Sequence, residues 1–110
     1  KFPKSDNASD NHLVIKSGYD LHKVLLDDIL YIKSDSEYVN YHLSNGRKIL
    51  TNQSLKNLES KLPDSFLRVH RSYIINKGKV TGLKSRELLL LNIKIPVSDS
   101  YYEIVRKKIF

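Results

Sequence analysis

The chain has 110 residues, the size of one compact domain, and its 40% hydrophobic and 28% charged residues are globular rather than disordered in proportion. Cysteine is absent, which excludes disulfides, thiolate nucleophiles and cysteine-based zinc sites and suits a reducing compartment. The net charge of +7 is unevenly placed: nine Lys/Arg meet nine Asp/Glu from Lys1 to Ser65, whereas ten Lys/Arg meet only Glu87, Asp99 and Glu103 from Phe66 to Phe110.

Residues Lys1 to Asn11 are polar and read as a linker, and the missing initiator Met at Lys1 is expected of a piece of a longer protein. His12 to Lys16 and Leu21 to Leu25 read as two strands around a Ser17-Gly18 turn. After a short break at Leu26 to Asp28, the apolar run Ile29 to Ile32 predicts a buried strand, and Lys33 to Glu37 a polar loop. Val39, Tyr41 and Leu43 alternate with Asn40 and His42, the period of a half-buried strand. Asn45-Gly46 favours the positive φ values of a tight hairpin, with Arg47 to Leu50 as the returning strand. The period then changes: Leu55, Leu58 and Leu62 make one stripe of a short helix, with Thr51 or Asn52 as its cap and Pro63 past its end. Short strands are predicted at Phe66 to Val69, Ser72 to Ile75, Lys79 to Lys84, Glu87 to Leu91 and Lys94 to Val97. A final helix fits Ser98 to Ile109, with Ser98 as N-cap, Tyr101, Ile104, Val105 and Lys108 along one side, and Arg106 to Lys108 complementing its C-terminal dipole. The sum is a mostly β domain of short antiparallel strands, one short internal helix and one C-terminal helix, ordered over 12–110.

Chemistry has little to work with. The longest apolar run, Leu88 to Leu91, is too short to cross a bilayer, and no signal peptide is visible, so a cytoplasmic chain without a membrane partner is expected. The histidines His12, His22, His42 and His70 have no zinc spacing, the four glycines make no phosphate loop, and no nucleophile and base can be assembled from local motifs. Neither metal nor cofactor is expected, and an enzyme has no positive support. His70 reads best as a hydrogen-bonded structural residue, and Asp27-Asp28 as capping residues. A polyanion would release counterions on the basic later half, although a solvated basic face explains the charge alone equally well. Three polar stretches could present side chains to nucleic acid: Lys33 to Glu37, His70 to Ser72, and Ser98 to Ser100. Arg71 can donate bidentately to guanine, Arg68 or Lys77 can contact phosphate, and the helix start can bind phosphate through backbone N–H groups. Each has a plainer alternative: Arg71 paired with a carboxylate, Ser98 only a cap, the Lys33 loop merely solvated.

Phe66-Leu-Arg-Val-His-Arg-Ser-Tyr-Ile-Ile-Asn76 closely resembles the central signature of LytTR-type DNA-binding domains. Asp27-Asp-Ile-Leu-Tyr-Ile32 with Glu37-Tyr-Val39, Ser54 to Pro63, and Ile95-Pro-Val-Ser-Asp-Ser-Tyr101 resemble its flanking segments in the same order. The resemblance implies an elongated arrangement of small antiparallel sheets whose loops enter successive major grooves of double-stranded DNA. It also implies an N-terminal receiver domain in a two-component response regulator, repeated half-sites, a homodimer on DNA, and transcription control. By position it places base contacts at Glu37, Tyr38, Arg71, Asp99 and Ser100, with Lys33, Ser36, Ser72 and Tyr101 as backbone-positioning neighbours. One departure stands out: many relatives carry a basic residue where this chain has Asp99, a group that repels phosphate but can accept from cytosine. Glu37 raises the same question. A protein-interaction module with a basic face for an acidic partner is the alternative.

Overall fold

The computed structural model describes residues 11–110, so the linker expected at Lys1 to Asn11 lies, but for Asn11, outside the described residues. Ten strands and two helices follow: β1 (His12–Ser17), β2 (Asp20–Leu25), β3 (Ile29–Asp35), β4 (Tyr38–Leu43), β5 (Lys48–Thr51), α1 (Leu55–Lys61), β6 (Phe66–His70), β7 (Tyr73–Asn76), β8 (Gly82–Lys84), β9 (Glu87–Leu90), β10 (Ile93–Pro96) and α2 (Asp99–Ile109). They build a two-stranded sheet β1-β2, a central five-stranded sheet β5-β4-β3-β7-β6, and a three-stranded sheet β10-β9-β8. Every pairing is antiparallel, the outcome expected of short strands joined by tight turns.

Strand alternation divides the interior between the two faces of the central sheet. Ile32, Val39, Tyr41, Ile49 and Ile74 point to one face, where Ile15 and Val24 of the β1-β2 sheet and Leu55 and Leu58 of α1 close over them. Val69 and Ile75 point to the other, against Leu88, Leu90, Ile95, Val97 and Val105 from the β8–β10 sheet and α2. Asn76, buried at the end of β7, donates from Nδ2 to the carbonyls of Leu26 (3.2 Å) and Ile29 (2.9 Å). Its Oδ1 accepts from Gly78 N–H at 3.1 Å, so one amide satisfies three backbone groups around a 3-10 turn at Lys77–Lys79.

Four local expectations are corrected. The polar stretch from Lys33 is not a loop: β3 runs on through Asp35, and only Ser36 and Glu37 turn, Ser36 at φ 61°. The cap of α1 is Ser54, whose Oγ accepts from Asn57 N–H at 3.1 Å; Thr51 is a buried strand residue instead. The strand expected from Lys79 begins at Gly82, because the Asn76-capped turn occupies 77–79. In α2 the packed side is Tyr101, Tyr102, Val105 and Ile109, while Ile104 faces solvent at 42% exposure. The three-residue step from Tyr101 selects Ile104, but the i, i+3, i+7 row from Tyr102 is the one that meets the sheet.

Candidate nucleic-acid interface

Three connections carry the expected contact residues. The first is the two-residue turn Ser36-Glu37, closed by the Asp35–Tyr38 pair of β3 and β4. Glu37 and Tyr38 are exposed, and so is Lys33, whose ammonium lies 5.9 Å from the Tyr73 ring centroid. The second is the β6–β7 turn at Arg71-Ser72, after a register shift between Arg68 and His70. His70 Nδ1 accepts from Ser72 N–H at 3.1 Å and its ring meets Tyr73 edge-on, which is the structural role expected of it. The third is the entry to α2, where Tyr101 N–H donates to Ser98 O at 3.0 Å. Ser98 precedes the helix as N-cap but its hydroxyl makes no capping bond; it lies 3.5 Å from Ser100 Oγ.

Two backbone hydrogen bonds join the three. Ser34 N–H donates to Ser72 O at 2.9 Å, holding the end of β3 beside the β6–β7 turn. Ser98 N–H donates to Val69 O at 3.1 Å, holding the start of α2 against β6 two residues before Arg71. Ser34, Ser36, Glu37, Asn52, Arg68 and Arg71 line one shallow cleft, which also borders the first turn of α1. Arg71, Asp99 and Ser100 are exposed, and Ser72, Ser98 and Tyr101 are half-buried, Tyr101 by packing on the second core.

Arg68 is the expected contact most fully engaged by its own chain. Its Nη1 donates to Glu59 at 2.9 Å, its Nε to His70 O at 3.1 Å and its Nη2 to Arg71 O at 2.7 Å. The guanidinium therefore spans the turn that presents Arg71, with its side chain only 16% exposed. Arg86, in the β8–β9 turn, was not anticipated: its Nη1 meets Asp99 Oδ1 at 2.7 Å and its guanidinium lies 4.4 Å from the Tyr102 ring centroid. The only sequence cue for it is the two-residue spacing between β8 and β9.

A family model described as the LytTr DNA-binding domain matches residues 19–110. The chain belongs to that family. Its LytTr fold superposes on a solved LytTr DNA-binding domain from Bacillus cereus with a TM-score of 0.75 at 25% identity, covering 89% of this chain and 95% of that one. An uncharacterized response regulatory protein of Vibrio cholerae is 31% identical over 72 residues, 62% of this chain and 28% of that protein. The transcriptional regulatory protein BtsR of Salmonella typhi is 29% identical over 90 residues, 76% of this chain and 37% of that protein. The CO-responsive transcriptional regulator RcoM of Rhodospirillum rubrum is 38% identical over 60 residues, 54% of this chain and 25% of that protein. The LytTr domain thus spans about a quarter to two-fifths of the curated relatives it matches.

Ionisable groups away from the three connections are shifted by packing. Burial pushes the Tyr41 phenol up to about 12, and its hydroxyl donates to Gln53 Oε1 at 3.0 Å. The Tyr31 phenol is also raised, by burial and then by Tyr73. His42 stacks on Tyr31 with centroids 4.2 Å apart, and burial, with Lys48 and Lys33 nearby, holds its imidazole below the ordinary histidine range. Among the described residues no cluster of three or more His, Asp or Glu could hold a metal ion, and no helix is long and apolar enough to cross a membrane.

Proposed function

We propose that this LytTr domain binds double-stranded DNA sequence-specifically for transcription control, reading the major groove through its three connections rather than a helix. The observation that carries the reading is the pair of backbone bonds, Ser34 to Ser72 and Ser98 to Val69, that gather those connections at one end of the central sheet with Arg71 exposed among them. Arg71 is the base-reading cation, donating bidentately to guanine. Glu37, Tyr38, Asp99 and Ser100 are the other side chains assigned to base edges, and Glu37 and Asp99 can accept from cytosine N4. Lys33, Ser36, Ser72, Ser98 and Tyr101 border them and fit phosphate or sugar contact. Arg68 acts differently: it shapes the Arg71 turn from within the protein. In the full-length protein the domain is the output of a response regulator with a receiver domain, binding repeated half-sites as a homodimer.

Selection of bound sites from random DNA at fixed salt tests binding, base preference and half-site spacing together. Arg71→Glu is the decisive variant. It is expected to keep the wild-type fold and lose recognition of the selected site. A folded Arg71→Glu protein that still binds that site like wild type overturns the assignment.

A further inference from the structure

The start of α2 poses a problem for any anion-binding role. The side chain of its first residue, Asp99, is 91% exposed, so a carboxylate stands where phosphate would approach. The β8–β9 turn answers it. Ser85 and Arg86 occupy the two turn positions with φ of 53° and 64°, between the paired residues Lys84 and Glu87. Both positive values belong to a type I′ hairpin, which Asn-Gly serves without strain and Arg does not. Arg86 O accepts from Val97 N–H at 2.9 Å, fixing this turn to the segment that enters α2. The guanidinium then lies against the Tyr102 ring and donates one edge to Asp99, while its side chain stays 56% exposed. A guanidinium carries five N–H donors, and Asp99 Oδ1 takes a single contact from it. The fork is therefore held on two sides and still presents donors to solvent.

We infer that Arg86 makes the β8–β9 turn a fourth DNA-contacting connection, as a phosphate clamp, and that Asp99 positions it through Oδ1, leaving Oδ2 for the base contact proposed above. The inference rests on the DNA-binding reading above and extends it to a turn outside the three connections. Asp99 neutralises no phosphate itself; it restrains a long, flexible cation so that less rotamer freedom is lost when DNA arrives. The arginine thereby supplies the positive charge that residue 99 lacks. Planarity matters here, because only a fork can meet a carboxylate on one edge, an aromatic face beneath and a phosphate on the other edge.

The test measures affinity for the selected site as a function of salt, for wild type, Arg86→Asn, Arg86→Lys, Asp99→Asn and the Arg86→Asn/Asp99→Asn double variant. Asparagine tolerates positive φ, so Arg86→Asn leaves the turn intact, and thermal melting verifies the fold. Arg86→Asn is expected to weaken binding about tenfold and to lower the log–log salt slope by about one, the signature of one lost phosphate contact. Arg86→Lys keeps the slope and loses part of the affinity. In the Asp99→Asn background the Arg86→Asn loss shrinks to about threefold, because the cation there is no longer held, and this non-additivity is what a merely structural Asp99 would not produce. Wild-type affinity and slope in Arg86→Asn, with Arg71→Glu inactive, overturns the clamp and leaves the DNA-binding reading standing. Equal losses from Arg86→Asn in both backgrounds overturn the positioning role of Asp99. Failure of the wild-type domain to select any DNA overturns both readings together.

Discussion

Arg68→Ala separates two ways in which an arginine can serve DNA binding. The side chain donates to two turn carbonyls, His70 O and Arg71 O, and to Glu59, and it is mostly buried. The Glu59 carboxylate is 46% exposed, so that ion pair contributes little, about 0.2–1 kcal/mol. The carbonyl bonds come from a charged donor, worth about 1.5–3 kcal/mol each at most. Truncation lets water reach both carbonyls, so much of that is recovered. A net loosening of the Arg71 turn by about 1–2 kcal/mol follows, which is about 5- to 30-fold in affinity if a turn that must be ordered binds DNA. Fluorescence anisotropy over a salt series reads it directly. Affinity is expected to fall by that factor while the salt slope keeps its wild-type value, since no phosphate contact is lost. A slope that drops by about one in Arg68→Ala refutes this reasoning and assigns Arg68 to phosphate.

Two further outcomes concern stability. Asn76→Ala removes three hydrogen bonds from a residue 4% exposed and leaves the Ile29 carbonyl without its partner, so urea unfolding is expected to show a loss of about 2–4 kcal/mol. A loss below about 1 kcal/mol means water replaces the amide. His42 has a folded pKa depressed below its unfolded value, so the unfolded chain binds the extra proton more readily. Its contribution is therefore complete above the ordinary histidine pKa and is lost as the pH falls below it. His42→Phe keeps a ring against Tyr31, and its melting temperature is expected to drop less than that of wild type between pH 7.5 and 5.5. Parallel curves for the two proteins count against the assignment.

Much of the fold was legible because its strands obey a simple period. Val39, Tyr41 and Leu43 alternate with half-buried partners, and the Asn45-Gly46 turn falls between β4 and β5, although only Gly46 takes a positive φ, at 90°, and Asn45 does not. Tertiary context decided the rest. Lys33 and Asp35 look like loop residues, yet β3 continues through them because β4 pairs with their backbones and their side chains face solvent. The α1 cap went to Ser54 rather than Thr51 because β5 needs Thr51 in its ladder, opposite Val39. At the site, the polar stretch His70 to Ser72 does carry a turn, at Arg71 and Ser72, with the strand expected from Ser72 starting at Tyr73, but nothing in Phe66 to Asn76 says that Arg68 reaches back to α1. That contact depends on Glu59, nine residues earlier on another element. Arg86 was invisible for a related reason: its partner, Asp99, is thirteen residues away, and the bond exists only once Val97 has docked on the β8–β9 turn.

The adjacent isoleucines of β7 belong to different interiors, Ile74 to the α1 side and Ile75 to the α2 side. The two halves are expected to melt together, because a single strand is the wall both lean on. Damage beneath α1, on the opposite face of the sheet from α2, is therefore expected to pass through that shared partition to Val69, the residue on which the entry to α2 hangs. Temperature-sensitive loss of DNA binding should accordingly arise from substitutions on both sides of the molecule, in one concerted step.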